Sequence, residues 1–124
     1  MAFSEFEEAV KDTDEIQITV TGRKSGRSIS NPVWFILERQ ELYLLPVKGS
    51  DSEWFKNVLK TPAMRLSVGG KEWSAEAKPL TDKVKVHDIV EKFRKKYGAD
   101  QVKKYYSKFD VAVDVRFSST QRSA

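Results

Sequence analysis

Residues 28–47 read SISNPVWFILERQELYLLPV. Two extended stretches, SISNPVWFILE (28–38) and ELYLLPV (41–47), flank the short polar link Glu38-Arg39-Gln40-Glu41, the pattern of a tight hairpin. Pro32 has no N–H to give to a ladder, so the first of these strands is expected at a sheet edge or a bulge. Upstream, Ile16, Ile18 and Val20 alternate with Gln17 and Thr19, as in a half-buried strand. The polar turn Gly22-Arg23-Lys24-Ser25-Gly26-Arg27 links it to residue 28. Downstream, Met64, Leu66 and Val68 alternate, Gly69-Gly70 turns the chain, and Trp73, Ala75 and Ala77 alternate again. Val111, Val113, Val115 and Phe117 make a last period-two strand. Six strands joined mainly by hairpins predict a mostly antiparallel sheet, and six can close into a small barrel. Regular β-α-β alternation is missing, which excludes a doubly wound parallel sheet.

Helical segments punctuate the strands. Ser4 and Glu7 form a capping-box pattern that predicts a short helix over about 3–11. Ser50 and Glu53 repeat the pattern before a helix of about 51–60, with Trp54/Val58 and Phe55/Leu59 at i,i+4 spacing and Pro62 as its stop. Thr81 or Asp82 caps a longer helix with the stripe Val86, Val90, Phe93 and Tyr97, ended by Gly98. A second helical piece carries Val102, Tyr105, Tyr106 and Phe109. The class is mainly β with α (α+β): a six-stranded split barrel with a short N-terminal helix, a short helix after strand 3 and a longer helical segment before the last strand. One domain is expected over 1–118, with a disordered tail at 119–124.

Composition narrows the chemistry. The 124 residues contain no Cys and one His, which excludes disulfides, thiolate metal sites, cysteine nucleophiles and two-His metal motifs, so no metal is expected. His87 reads as a surface or boundary residue of the long helix. The acidic N-terminus has no apolar run and no window resembles a membrane span, so a cytoplasmic protein is expected. The net charge of +4 is mild. Residues 82–108 hold nine bases against four acids, which reads as a solvated helix face, and no nucleic-acid partner is expected. GxxxxGK[ST], GxGxxG, GxSxG and HExxH are all absent.

What remains is two basic turns beside flat apolar side chains. Arg23, Lys24 and Arg27 crowd a glycine-bounded turn with Ser25 as a further donor, a combination that suits an anion. Lys48-Gly49-Ser50 places a lysine at a strand end ahead of a helix N-terminus. Asn31, Pro32 and Trp34 lie between these turns in sequence, Trp54 follows the second, and together they could bracket a planar ring. The pattern suits a phosphate-bearing aromatic cofactor; two solvated turns with ordinary core tryptophans are the alternative.

TGRKSGRSISNPVWF (21–35) and LYLLPVKGSDSEWFKNVLKTPAMRLSV (42–68) together resemble the deazaflavin-dependent nitroreductases, small split-barrel oxidoreductases. The similarity spans about residues 14–80 and rests on the T-G-R-K-[ST]-G turn, the N-P-x-aromatic-aromatic strand and K-G-x followed by W, N and P. It implies coenzyme F-420 as cofactor and a quinone, enone or nitroaromatic as acceptor. By position it implies that Arg23 and Lys24 meet the phosphate and acidic tail, and that Ser25 and Gly26 supply turn donors. Asn31, Pro32 and Trp34 would line the ring, Lys48 and Gly49 would lie near the phosphate or the ring's polar edge, and Trp54 and Asn57 would be structural. Ile29 stands where an arginine is common, and Val47 where a small hydroxyl residue is often seen. No catalytic side chain is assigned; Tyr43, Tyr105 and Tyr106 are candidate proton donors. FMN in the same slot, a non-catalytic binding module and a basic helix docking on an acidic partner are the alternatives. A homodimer is expected.

Overall fold

The computed structural model describes residues 2–39 and 41–117. The expected tail at 119–124 lies outside them. In chain order the elements are α1 (Ala2–Ala9), β1 (Ile16–Thr21), β2 (Ser28–Val33), β3 (Phe35–Glu38), β4 (Glu41–Leu44), α2 (Glu53–Lys60), β5 (Ala63–Val68), β6 (Lys71–Leu80), α3 (Lys83–Tyr97), α4 (Ala99–Tyr105) and β7 (Ala112–Phe117), with a 3-10 turn at Gly49–Asp51.

The sheet is antiparallel and has seven strands, in the order β2-β1-β5-β6-β7-β4-β3, rather than six. The extra strand comes from 28–38, which is not one strand but two. β2 pairs with β1 at one edge and β3 pairs with β4 at the other. One stretch of chain therefore joins both edges, so the sheet must curl on itself, and Trp34 sits at the crossing outside either strand. Pro32 lies in the edge strand β2, where its missing N–H costs no central ladder bond.

The end of α3 staples that crossing. The Tyr97 hydroxyl accepts from Phe35 N (3.1 Å) and donates to Asp14 O (2.7 Å). Lys96 Nζ donates to Phe35 O at 2.8 Å and lies 3.6 Å from the Phe35 ring centroid. Burial pushes the Tyr97 phenol up to about 12, so it stays a donor.

Two cores follow from the curl. Inside the barrel, Ile18, Val20, Leu42, Leu44, Leu66, Val113 and Val115 converge, the inward half of each period-two pattern. Phe6 of α1 closes one end, edge-on to Trp73 and Phe117 with ring centroids 5.2 Å from each. Outside, Val86, Ile89, Val90 and Phe93 of α3 and Val102 of α4 cover Ile36, Tyr43 and Ala112 of β3, β4 and β7.

Both capping boxes are corrected. α1 begins at Ala2, so Ser4 is inside the helix. α2 begins at Glu53, with Ser52 as its N-cap residue, while Ser50 gives both its N–H and its hydroxyl to Asp110 (2.9 and 2.5 Å). Asp82 does cap α3, accepting from Lys85 N at 3.0 Å. The basic excess at 82–108 also gains an account. Lys85 bonds Tyr43, Lys92 bonds Glu38, Arg94 pairs with Glu91, and Lys108 pairs with Asp51 and Asp110. Lys96 and Lys104 lie over aromatic rings.

One acidic pair in the β4–β7 seam is pH-sensitive. Asp114 is 5% exposed. Its Oδ2 accepts from Arg116 Nε and Nη2, both at 2.9 Å, whereas its Oδ1 has no hydrogen-bond partner among the described residues. Burial, then the Asp114 charge, pushes the neighbouring Glu41 carboxyl above its ordinary range. Two ionised carboxylates here repel one another. A raised carboxyl contributes stability below its unfolded value and loses it as pH rises through the folded value. Glu41→Gln, which keeps a donor and cannot ionise, is therefore expected to raise Tm at pH 8 by about 3 °C and to leave it nearly unchanged at pH 4. Thermal melts across that range decide this, and equal shifts at both ends would refute the repulsion.

Candidate functional site

The crossing at Trp34 opens beside a cavity of about 930 Å³. Its walls are the Gly22–Ser25 turn, the unpaired edge of β2, Leu45 to Lys48, the first turns of α2, and Tyr105 and Tyr106 at the end of α4.

One wall is aromatic. The Trp34 ring stacks on Tyr97 with centroids 4.2 Å apart and planes 7° apart, and Tyr105 and Tyr106 approach it at 5.7 and 5.8 Å. Tyr106 is 6% exposed, and burial pushes its hydroxyl well above the usual phenol range. Trp54, 8% exposed, lines the opposite side from α2. Five large apolar side chains of the described residues are exposed, and three of them, Ile29, Val47 and Tyr105, border this cavity.

The basic turn is held from below. Gly26 N donates to Gly22 O (2.9 Å), Gly22 N donates to Arg27 O (2.8 Å), and Ser25 Oγ accepts from Arg27 N (3.2 Å). Gly26 takes φ +74°, a conformation that glycine reaches without the steric cost of a Cβ. Asn57 of α2 is buried, and its Oδ1 accepts from Arg23 N (3.1 Å) and Arg23 Nη1 (2.8 Å). Glu53 Oε1 accepts from Arg23 Nη2 at 2.9 Å. Lys60 Nζ donates to Arg23 O at 2.9 Å. These bonds lock the turn onto α2 and leave Lys24 pointing free: among the described residues its side chain makes no hydrogen bond or ion pair, and neither does that of Lys48. Across the cavity, Lys48 N donates to Ser52 Oγ at 2.7 Å. Ser107 N donates to Val47 O at 2.9 Å, which ties the segment after α4 to the same loop.

Residues 7–119 match the family described as an uncharacterized protein conserved in bacteria (DUF2255). The chain belongs to the DUF2255 family. No curated protein matches this DUF2255 chain in sequence. Solved structures do resemble it in fold. One described as an F-420-H2 dependent reductase (FDR-A) has a TM-score of 0.64 at 20% identity, covering 84% of this chain and 95% of that one. A putative pyridoxamine 5'-phosphate oxidase from Listeria innocua has a TM-score of 0.69 at 12% identity, covering 96% and 95%. A structure described as a domain-swapped dimer has a TM-score of 0.65 at 20% identity, covering 85% and 81%. At these identities the likeness establishes the fold, and the curled antiparallel sheet of this DUF2255 chain is consistent with the split-barrel type.

Of the nine residues singled out from the sequence, Arg23, Lys24, Ser25, Asn31, Pro32, Trp34 and Lys48 border the one cavity. Gly26 and Gly49 do not; each holds a positive φ in a turn that presents a neighbouring lysine. Among the candidate proton donors, Tyr105 and Tyr106 line the cavity, whereas Tyr43 lies in the outer core against Lys85. Sequence reasoning missed Glu53 and Gln101, which also line it. Glu53 was within reach, since it stands four residues before Asn57 on one face of α2.

Proposed function

We propose that the cavity binds a phosphorylated tricyclic cofactor, coenzyme F-420, and that the chain is a small cytoplasmic oxidoreductase acting on a quinone, enone or nitroaromatic acceptor. The observation that carries this reading is the joining of an aromatic and apolar wall to two unpaired lysines on separate turns of one cavity. Its volume lies within the range of small-molecule sites, which are mostly apolar with a few placed polar groups. Exposed Ile29, Val47 and Tyr105 are what a bound ring system would cover. The two fold relatives described as an F-420-H2 dependent reductase and a putative pyridoxamine 5'-phosphate oxidase support a cofactor of this general class.

Such a cofactor supplies hydride chemistry, and this chain supplies position and electrostatics. Lys24 and Lys48 would hold the phosphate end. Trp34, with Tyr97 stacked behind it, gives the ring a rigid face. The edge of β2 offers main-chain groups to the ring's polar rim, except at Pro32. Tyr106 keeps its proton, so its neutral hydroxyl would give or take a hydrogen bond beside a bound acceptor. The structure described as a domain-swapped dimer supports a homodimer as the working state.

Titration of the purified protein with coenzyme F-420 and with FMN, followed by cofactor fluorescence, tests the reading. Low-micromolar or tighter binding of F-420, weakened about tenfold by Lys24→Ala, is expected, the size of one charge-assisted hydrogen bond. FMN bound in preference to F-420 would reassign the cofactor within the same site. Binding indifferent to Lys24→Ala and Lys48→Ala would remove the phosphate assignment, and binding of neither cofactor would end the reading.

A further inference from the structure

Arg23 is held at two points of different kinds. Asn57 Oδ1 takes the Arg23 main-chain N–H and Nη1 together, from a side chain that is 4% exposed. That bond is part of the fold, because removing it strands a main-chain donor. The other hold is Glu53 Oε1 on Nη2 at 2.9 Å, from a side chain that is 74% exposed and borders the cavity. The guanidinium is thus oriented by the buried amide, while its outer nitrogen is covered by an exposed surface carboxylate.

The charges around the cavity set what that carboxylate does. Asp51 is matched by Lys108 and Glu53 by Arg23. Lys24 and Lys48 make no hydrogen bond or ion pair among the described residues, although the Lys24 charge acts on Glu53, and Glu15 also borders the cavity. A ligand with one anionic group is met by the two lysines. A ligand with a further anionic group beside the Gly22–Ser25 turn finds Arg23 already taken. Glu53 has somewhere to go, since its Oε2 lies 3.9 Å from Lys56 Nζ.

We propose that Glu53 is a resident counter-ion and the charge-specificity determinant of this site: it occupies the place on Arg23 Nη2 that an anionic group of the ligand takes on binding. The inference rests on the reading that the cavity takes a phosphorylated flavin or deazaflavin. Displacement is feasible because exposed ion pairs hold their partners by no more than about fivefold in an equilibrium constant. The Arg23 hydrogen bond holds the Glu53 carboxyl below its usual range, so it is ionised, and competing, at neutral pH.

Glu53→Gln tests this, because it keeps an oxygen acceptor for Arg23 and removes only the charge. The probes are coenzyme F-420, FMN and riboflavin, which has no phosphate, each titrated against wild type and variant with a melting curve to confirm folding. The expected result is F-420, whose acidic tail adds anionic groups to its phosphate, bound about three- to fivefold tighter by Glu53→Gln, with FMN, whose single phosphate the two lysines meet, and riboflavin both unchanged within twofold. Glu53→Ala, which uncovers Nη2 altogether, is expected to follow the same order. An equal gain for riboflavin would show a change of shape rather than of charge and would overturn the proposal. So would unchanged F-420 binding in a wild type that binds it. A wild type that binds none of the three would instead overturn the cofactor reading beneath it.

Discussion

Replacing Phe6 with alanine is expected to destabilise the fold by about 3–5 kcal/mol, the cost of emptying a fully buried aromatic site. Phe6 is 0% exposed and meets Trp73 of β6 and Phe117 of β7 edge to face. It closes the barrel end where the inward side chains of the sheet would otherwise face water. The helix that carries it has only eight residues, too few to persist in isolation. Docking of Phe6 and Val10 therefore makes the helix as well as filling the hole. Two readouts follow. Urea unfolding shifts to a lower midpoint, and residues 2–9 become the first protease-sensitive segment under native conditions. Phe6→Leu, which keeps most of the volume, is expected to recover more than half of the loss. If Phe6→Ala and wild type share a midpoint, the barrel is closed by something other than α1.

Strand periodicity was legible wherever a strand has one buried and one wet face. Ile16, Ile18 and Val20, then Met64, Leu66 and Val68 follow it because water and core select alternate positions, whereas Val111, Val113 and Val115 alternate with Ala112 and Asp114, which are buried on the other face of β7. The break at Trp34 was not legible. From Val33 to Leu37 the chain is continuously apolar, since β3 is covered by the barrel core on one side and by α3 on the other. Nothing local says that residues before Trp34 pair with β1 and those after it with β4. The capping boxes failed for a related reason. Ser50 has the right neighbour at i+3, but Asp110, sixty residues away, takes both its donors, and α2 starts later.

The site divides the same way. Glycine-bounded basic turns and a strand with Asn31, Pro32 and Trp34 are local features, and the fold brings seven of the nine residues named from them to one cavity. Which cations are free there is a tertiary fact. Arg23 and Lys24 are adjacent in sequence and look equivalent. Docking of α2 gives Arg23 three acceptors on Glu53 and Asn57 and leaves Lys24 with none. Tyrosines show the same limit: Tyr43 and Tyr106 are both buried, but only Tyr106 faces the cavity.

Gly49→Ala is expected to be the most damaging small substitution near the site, costing about 2–4 kcal/mol and weakening cofactor binding through Lys48. Two separate terms add. Gly49 has φ +55°, where an L side chain costs about 1–2 kcal/mol. A Cβ there would also collide with Asp110 Oδ1 and come within 3.1 Å of the Lys108 side chain. The Lys108 atoms in question are Cγ and Cβ, so easing that contact moves the backbone of Lys108 as well. Asp110 cannot swing away without giving up Ser50 N and Ser50 Oγ, which hold the 3-10 turn after Lys48. Burial alone would raise the Asp110 carboxyl, but the Ser50 bonds and Lys108 hold it below its usual range. Its share of the latch is therefore present at neutral pH and lost as pH falls through that lowered value. A double-mutant cycle separates the terms. In an Asp110→Ala background the collision with Oδ1 is gone, and Gly49→Ala is expected to cost its backbone part, about 1–2 kcal/mol, together with the tight contact on Lys108. Measured stabilities that add without coupling would mean that Asp110 does not occupy the space a Cβ needs.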